Sequence, residues 1–186
     1  MKQNSLFCTL KAVSVAGLLA AAGCASTQNQ QAPGEYVDDT TLTGKVKSAL
    51  IADPVAQAHQ IEVETYRGVV QLSGFVDSQN ERVAAVKIAE GVHGVKSVHD
   101  NLKIRTDDAT VGDALDDSVV TARVKTALIA NPVTKARQIN VATADGVVQL
   151  SGFVDSSNEK STATEVARTV PGVRLVQNEL EMKPAP

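Results

Sequence analysis

The chain has 186 residues, with 18 Lys and Arg against 21 Asp and Glu, 43% apolar and 3% aromatic residues, two Cys and no Trp. A formal charge of −3 with so few rings excludes the usual nucleic-acid binder, which needs a basic face for phosphates and flat side chains for bases. Three His and two Cys at unrelated positions cannot close a structural zinc site, no phosphate-cradling glycine loop is present, and the composition points away from an enzyme.

At the N-terminus, Lys2 and Lys11 precede the apolar run Ala12 to Ala22. That run has the length of a signal-peptide core and falls short of the about 20 residues that span a bilayer. Residues 1–23 therefore read as a lipoprotein signal peptide. The run ends in Ala21-Ala22-Gly23-Cys24, which resembles the lipobox of bacterial lipoproteins, with Ala21 where the lipobox prefers Leu. Cys8 leaves with the leader, so Cys24 becomes the sole thiol and cannot form an internal disulfide. Acylation of Cys24, with fatty chains such as palmitate, is the expected modification. The rival is ordinary cleavage near Ala22, which leaves a soluble periplasmic protein with a free thiol. Ala25 and Ser26 follow without an Asp, and by the same resemblance this implies export to the outer membrane. Residues 24–37 are rich in Gln, Asn, Ser and Thr without apolar periodicity, and read as a flexible tether reaching ~20 Å. Without Lys2 and Lys11 the net charge falls from −3 to −5, so only a local patch can approach an anionic surface.

Beyond the tether one unit is written twice. Val46-Lys47 recurs as Val124-Lys125, Pro54-Val55 as Pro132-Val133, and Gly68 through Ser78 as Gly146 through Ser156, always 78 positions apart. Such an ungapped register, over a domain's length, means tandem copies of one fold.

Each copy opens with an amphipathic helix, its apolar positions Leu42, Val46, Ala49, Leu50 or Val120, Val124, Ala127, Leu128. Thr40 and Ser118 read as N-caps, and Asp53-Pro54 and Asn131-Pro132 end the helices, because the residue before proline is pushed out of the helical region. Ile61, Val63 and Thr65 then alternate as a strand. A turn follows at Arg67-Gly68 or Asp145-Gly146, then a second strand with Val70, Leu72, Gly74 and Val76 on one side. Ser78-x-x-Glu81 and Ser156-x-x-Glu159 are capping boxes. The helices they open carry Ala85, Ile88, Ala89, Val92 and Ala163, Val166, Ala167, Val170. A last strand runs from Val95 to Ile104 or Val173 to Met182. The expected class is α+β: two tandem αββαβ domains, each a small three-stranded sheet with two helices on one face. Domain one spans 38–106, a linker 107–116, and domain two 117–183.

The unit resembles the BON domain of bacterial envelope proteins, whose characteristic stretch reads here as Gly68-Val69-Val70-Gln71-Leu72-Ser73-Gly74 and again from Gly146 to Gly152, followed by the Gly94-Val95 and Gly172-Val173 turns. With the lipobox in front, the chain is similar to dual-BON outer-membrane lipoproteins. The resemblance implies no catalysis and no cofactor, and contact with phospholipid surfaces or other envelope components.

Candidate sites are few. His93 and His99 stand six apart, but the second copy has Pro171 and Gln177 there, so no shared metal site is expected. Asp107, Asp108, Asp113, Asp116 and Asp117 form an acidic connector whose spacing does not fit a calcium loop; a solvated linker that caps the next helix is the plain reading. One surface rises above this background. Steps of 100° from Val124 send Val119, Ala122, Thr126 and Ile129 to the outer face of the second copy's first helix, flanked by Arg123 and Lys125. The matching positions in the first copy are Thr41, Gly44, Ser48 and Ile51, a more polar set. That outer face either docks against the first copy or forms a shallow membrane or partner site. The expected function is non-enzymatic: a lipid-anchored outer-membrane protein, facing the periplasm, that supports envelope integrity by binding anionic phospholipid through domain two. The alternatives are an adaptor for envelope proteins, through its sheet faces or this helix, and a soluble periplasmic osmotic-stress chaperone.

Overall fold

The apolar stripes placed on the first helices and the alternating strands meet in two separate cores. In the computed structural model, which describes residues 33–56, 60–105 and 111–183, the first copy contains α1 (Pro33–Ala52), β1 (Ile61–Tyr66), β2 (Val69–Val76), α2 (Gln79–Gly91) and β3 (Ser97–Ile104). The second repeats it as α3 (Val111–Ala130), β4 (Asn140–Ala144), β5 (Val147–Val154), α4 (Ser157–Arg168) and β6 (Leu175–Met182), with a short 3-10 turn at Ala136–Gln138 before β4. The leader, Cys24 and residues 25–32 lie outside the described residues, as do residues 106–110.

In each copy the middle strand pairs antiparallel with the strand before it and parallel with the one after, giving orders β1-β2-β3 and β4-β5-β6. Both helices cover one face of each sheet. Val46, Leu50, Val70, Leu72, Ala85, Ala89 and Leu102 form the first core. Val124, Leu128, Val148, Leu150, Ala163, Ala167 and Leu180 form the second. Burying one such Leu or Val contributes about 1.5–3 kcal/mol. The small Ala residues on α2 and α4 let those helices sit close to their sheets.

Two local expectations need correction. Thr40 and Ser118 are not N-caps: α1 begins at Pro33 and α3 at Val111, so residues 33–37, read as tether, and 111–116, read as linker, are helical. The carboxylates beside them do something else. Asp39 accepts from the Arg67 and Gly68 amides at 2.5 and 2.9 Å, and Asp117 accepts from Asp145 and Gly146 at 2.7 and 2.8 Å. These turns need that hold. Both central residues of each have positive φ, 52° and 81° in the first, 52° and 72° in the second, as a two-residue turn matching strand twist requires. The helix ends are as expected: Asp53 Oδ1 accepts from the Val55 and Ala56 amides, and Asn131 Oδ1 from Val133. Ser78 and Ser156 cap α2 and α4, while Glu81 and Glu159 reach back to the amides of Asp77 and Asp155.

Candidate functional site

Strand alternation leaves Gln71, Ser73 and Phe75 on the side of β2 away from its helices. All three are buried, as are Gln149, Ser151 and Phe153 of β5, because the two helix-free sheet faces pack on each other. Gln71 Nε2 donates to the Glu179 carbonyl at 2.8 Å while its Oε1 accepts from the Gly152 amide at 2.7 Å. Gln149 Nε2 donates to the Asn101 carbonyl at 2.6 Å while its Oε1 accepts from Gly74 at 2.7 Å. Ser73 and Ser151 hydroxyls meet at 2.7 Å. Each bond maps onto its twin by the 78-residue offset, so the copies are related by a local two-fold axis through the serine pair. Every polar group in this centre has a partner, as burial demands.

The glycines at the centre are required there. At Gly74, with φ of 112°, a Cβ would stand 2.2 Å from the Gln60 carbonyl oxygen, and at Gly152, with φ of 122°, 2.1 Å from that of Gln138. Their amides are then free to reach the opposite glutamine. Polar contacts edge the interface: an ion pair of Lys103 Nζ with Glu179 at 2.8 Å and a hydrogen bond between His99 Nδ1 and Glu181 at 2.5 Å. His99, set aside as a metal ligand, thus works as a contact between the copies.

This interface excludes docking of the outer helix face on the first copy. The order of layers is helices, sheet, sheet, helices, so α1 and α3 lie on opposite outer sides, and α3 does not dock on the first copy. The sheet faces of the adaptor reading are closed by each other. On α3, Val119 is 47% and Ile129 73% exposed, and Ala122, Arg123, Lys125 and Thr126 are exposed beside them. Thr126 returns its hydroxyl proton to the Ala122 carbonyl at 2.9 Å, which leaves little polar demand between the two apolar residues.

The copies differ most tellingly at one pair. On α1, Lys47 Nζ lies 3.5 Å from Glu62 of β1. Asn140 stands where Glu62 stands, and its amide donates instead to Glu64 across the interface at 2.9 Å. Lys125, the twin of Lys47, therefore has no carboxylate, and neither does Arg123 among the described residues. The α3 face is the one that couples exposed apolar side chains to two cations free for an external anion. Sequence reasoning located this face but missed the interface residues Gln71, Ser73, Gln149 and Ser151, and the roles of Asp39 and Asp117. The signal was present: the outward residues of β2 recur unchanged in β5, which a solvated face does not need.

Comparison with known proteins agrees with this architecture. The BON-domain family profile matches residues 38–106 and 116–184. Osmotically-inducible protein Y of Escherichia coli is 42% identical over 151 residues, covering 81% of this chain and 75% of that protein. The 21 kDa hemolysin of Actinobacillus pleuropneumoniae is 34% identical, covering 77% and 73%. The outer membrane lipoprotein DolP of Haemophilus influenzae is 30% identical, covering 77% and 74%. With two matched domains, each a three-stranded sheet under two helices and carrying the recurring Gly-Val-Val-Gln-Leu-Ser-Gly stretch, the chain belongs to the BON-domain family.

Proposed function

We propose that the protein is a non-enzymatic lipoprotein of the bacterial outer membrane, anchored through Cys24 and facing the periplasm, that supports envelope integrity by contacting anionic phospholipid through the outer face of α3. One observation carries the reading: loss of the Glu62 equivalent at Asn140 leaves Lys125 unpaired beside Arg123, Val119 and Ile129. Cations near an anionic membrane are each worth about 1 kcal/mol, and the apolar side chains add shallow insertion. The contact is weak, since the face holds no aromatic anchor and the net charge of −5 left after loss of Lys2 and Lys11 opposes approach. An acyl anchor would supply the residence time that this face lacks. The relative named as an outer membrane lipoprotein supports the location.

A second reading, a soluble periplasmic osmotic-stress protein, is favoured by the higher identity to the relative named as osmotically inducible, and requires that Cys24 is not acylated. Fractionation of the wild type and Cys24→Ser, with mass analysis of the N-terminal peptide, tests the anchor. Membrane fraction and lipid mass that both vanish in Cys24→Ser support the first reading. A wild type that is soluble and carries no lipid supports the second. Co-flotation of the unlipidated body with anionic against neutral vesicles tests the α3 contact. Binding to anionic vesicles that weakens with salt is the expected result, and equal behaviour with both lipids contradicts it.

A further inference from the structure

The local two-fold axis gives the interface two corners, and only one is closed. At the closed corner, Tyr66 stacks on Phe153 with ring centres 5.6 Å apart, Lys183 lies over the tyrosine ring, and His99 pairs with Glu181. At the other corner Phe75 stands where Phe153 does and Arg105 where Lys183 does, but the rest of that closure has changed. Ala144 replaces Tyr66, Gln177 replaces His99 and Lys103 replaces Glu181, so neither the ring pair nor the His99–Glu181 hydrogen bond has a counterpart. Leu175 stands in place of Ser97 and is 52% exposed.

Two clefts open there, of ≈ 430 and ≈ 470 Å³, and they share Phe75, Arg105, Ala144 and Asp145 in their walls. The larger adds Ile104, Leu175, Lys103, Arg174 and Gln177. Phe75 presents little more than its edge, so Ile104 and Leu175 supply the exposed apolar contact. Among the described residues Lys103 and Arg105 each have one carboxylate, whereas Arg174 donates to a backbone carbonyl, that of Asp145. The larger cleft is therefore apolar, with three cations and the single carboxylate of Asp145 on its rim. In its wall, Gln177 Oε1 is buried without a hydrogen-bond partner, an acceptor that asks for a donor. The acidic residues of the smaller cleft are engaged, Glu62 with Lys47 and Asp117 with the turn amides, and Asp145, which lines both clefts, is not free either.

We propose that this open corner is a binding site for an acidic peptide segment of a partner protein, which inserts an aromatic side chain beside Ala144. The occupant is defined by the molecule itself, because at the twin position a tyrosine ring does the same from within the chain. Carboxylates flanking that residue meet Lys103, Arg105 and Arg174. A peptide amide or tyrosine hydroxyl satisfies Gln177. A chain, and not a lone ring, fits two clefts joined at a common centre. The site is separate from the α3 face and does not depend on it.

The test uses a fluorescein-labelled peptide Gly-Asp-Glu-Tyr-Asp-Gly and fluorescence anisotropy with the unlipidated protein. The expected result is saturable binding, at least tenfold weaker for peptides with Tyr replaced by Ala or the acids by Lys. Ala144→Tyr, which restores the closed corner, is expected to weaken binding at least tenfold. Leu175→Ser, a change on the exposed rim that leaves the cores intact, is expected to weaken it about threefold or more. Circular dichroism establishes that both variants are folded. Absence of saturable binding to the wild type, or equal binding by wild type and Ala144→Tyr, overturns the proposal. So does loss of anionic-vesicle binding in Ala144→Tyr without any effect on the peptide, which would assign the corner to lipid.

Discussion

Gln71 and Gln149 exchange equivalent bonds across the axis: each accepts a glycine amide of the opposite sheet and donates to a carbonyl of the opposite last strand, at 2.6 to 2.8 Å. Two domains that each carry their own core are thereby held in one arrangement. A buried polar centre of this kind costs most when half removed. Gln149→Leu leaves the Gly74 amide and the Asn101 carbonyl unsatisfied, and a loss of about 2–4 kcal/mol is expected from two such groups. Gln71→Leu is expected to match it. Urea unfolding checks both, and a loss below about 0.5 kcal/mol would mean that water replaces the glutamine at no cost.

Gly74→Ala and Gly152→Ala are expected to be worse. Each combines positive φ with a Cβ set 2.2 or 2.1 Å from a carbonyl oxygen, so the strand must move and the glutamine bond is lost with it. A penalty of about 3 kcal/mol or more is expected from strain and lost bonding together, read from the same denaturant curves. Wild-type stability in either variant would contradict the packing described.

Asp39→Ala and Asp117→Ala each remove a carboxylate that holds two amides of a tight turn. Bonds to a charged acceptor are worth about 1.5–3 kcal/mol, and a loss in that range is expected from thermal or denaturant unfolding. An unchanged midpoint would show that positive φ at Arg67 or Asp145 needs no support.

Asp155 offers a pH test. Burial raises its pKa, but hydrogen bonds from Lys135 and Lys183, with their charges, outweigh that and hold it below the usual carboxylate value. Lys135 is held above the ordinary lysine value, chiefly by its bond to Asp155 and against the cost of burial. Since the folded pKa of Asp155 is the lower, its contribution is present above the unfolded carboxylate value of about 4 and is lost as pH falls through the folded value. The Tm gap between wild type and Asp155→Asn is therefore expected to be full near neutral pH and to narrow below about pH 4. A gap that stays constant down to about pH 3 would contradict the assignment.

Much of this architecture is legible from the residues because its causes are local. Leu42, Val46 and Leu50 mark a helix face, Val70, Leu72 and Val76 a strand face, and Ser78 a cap, whatever surrounds them. The helix starts were misplaced because Thr40 and Ser118, each beside an aspartate, look like caps, whereas Asp39 and Asp117 lie within helices and serve a turn 28 residues away. The interface was illegible for a related reason. Gln71 and Ser73 have the polarity of a wet strand face, and only a partner of the same polarity, fixed by tertiary structure, buries them. The candidate site was legible as far as Val119 and Ile129; that Lys125 is unpaired depends on Asn140, which lies on another element.

The most direct measurement of the central claim is co-flotation of the unlipidated body with anionic vesicles at low salt, comparing Arg123→Glu/Lys125→Glu on α3 with the matched Lys45→Glu/Lys47→Glu on α1. Both pairs change net charge equally, so a general electrostatic effect lowers binding equally. The account predicts that the α3 reversal abolishes flotation and that the α1 reversal leaves most of it. Equal losses from the two variants, or undiminished binding by the α3 variant, would contradict it.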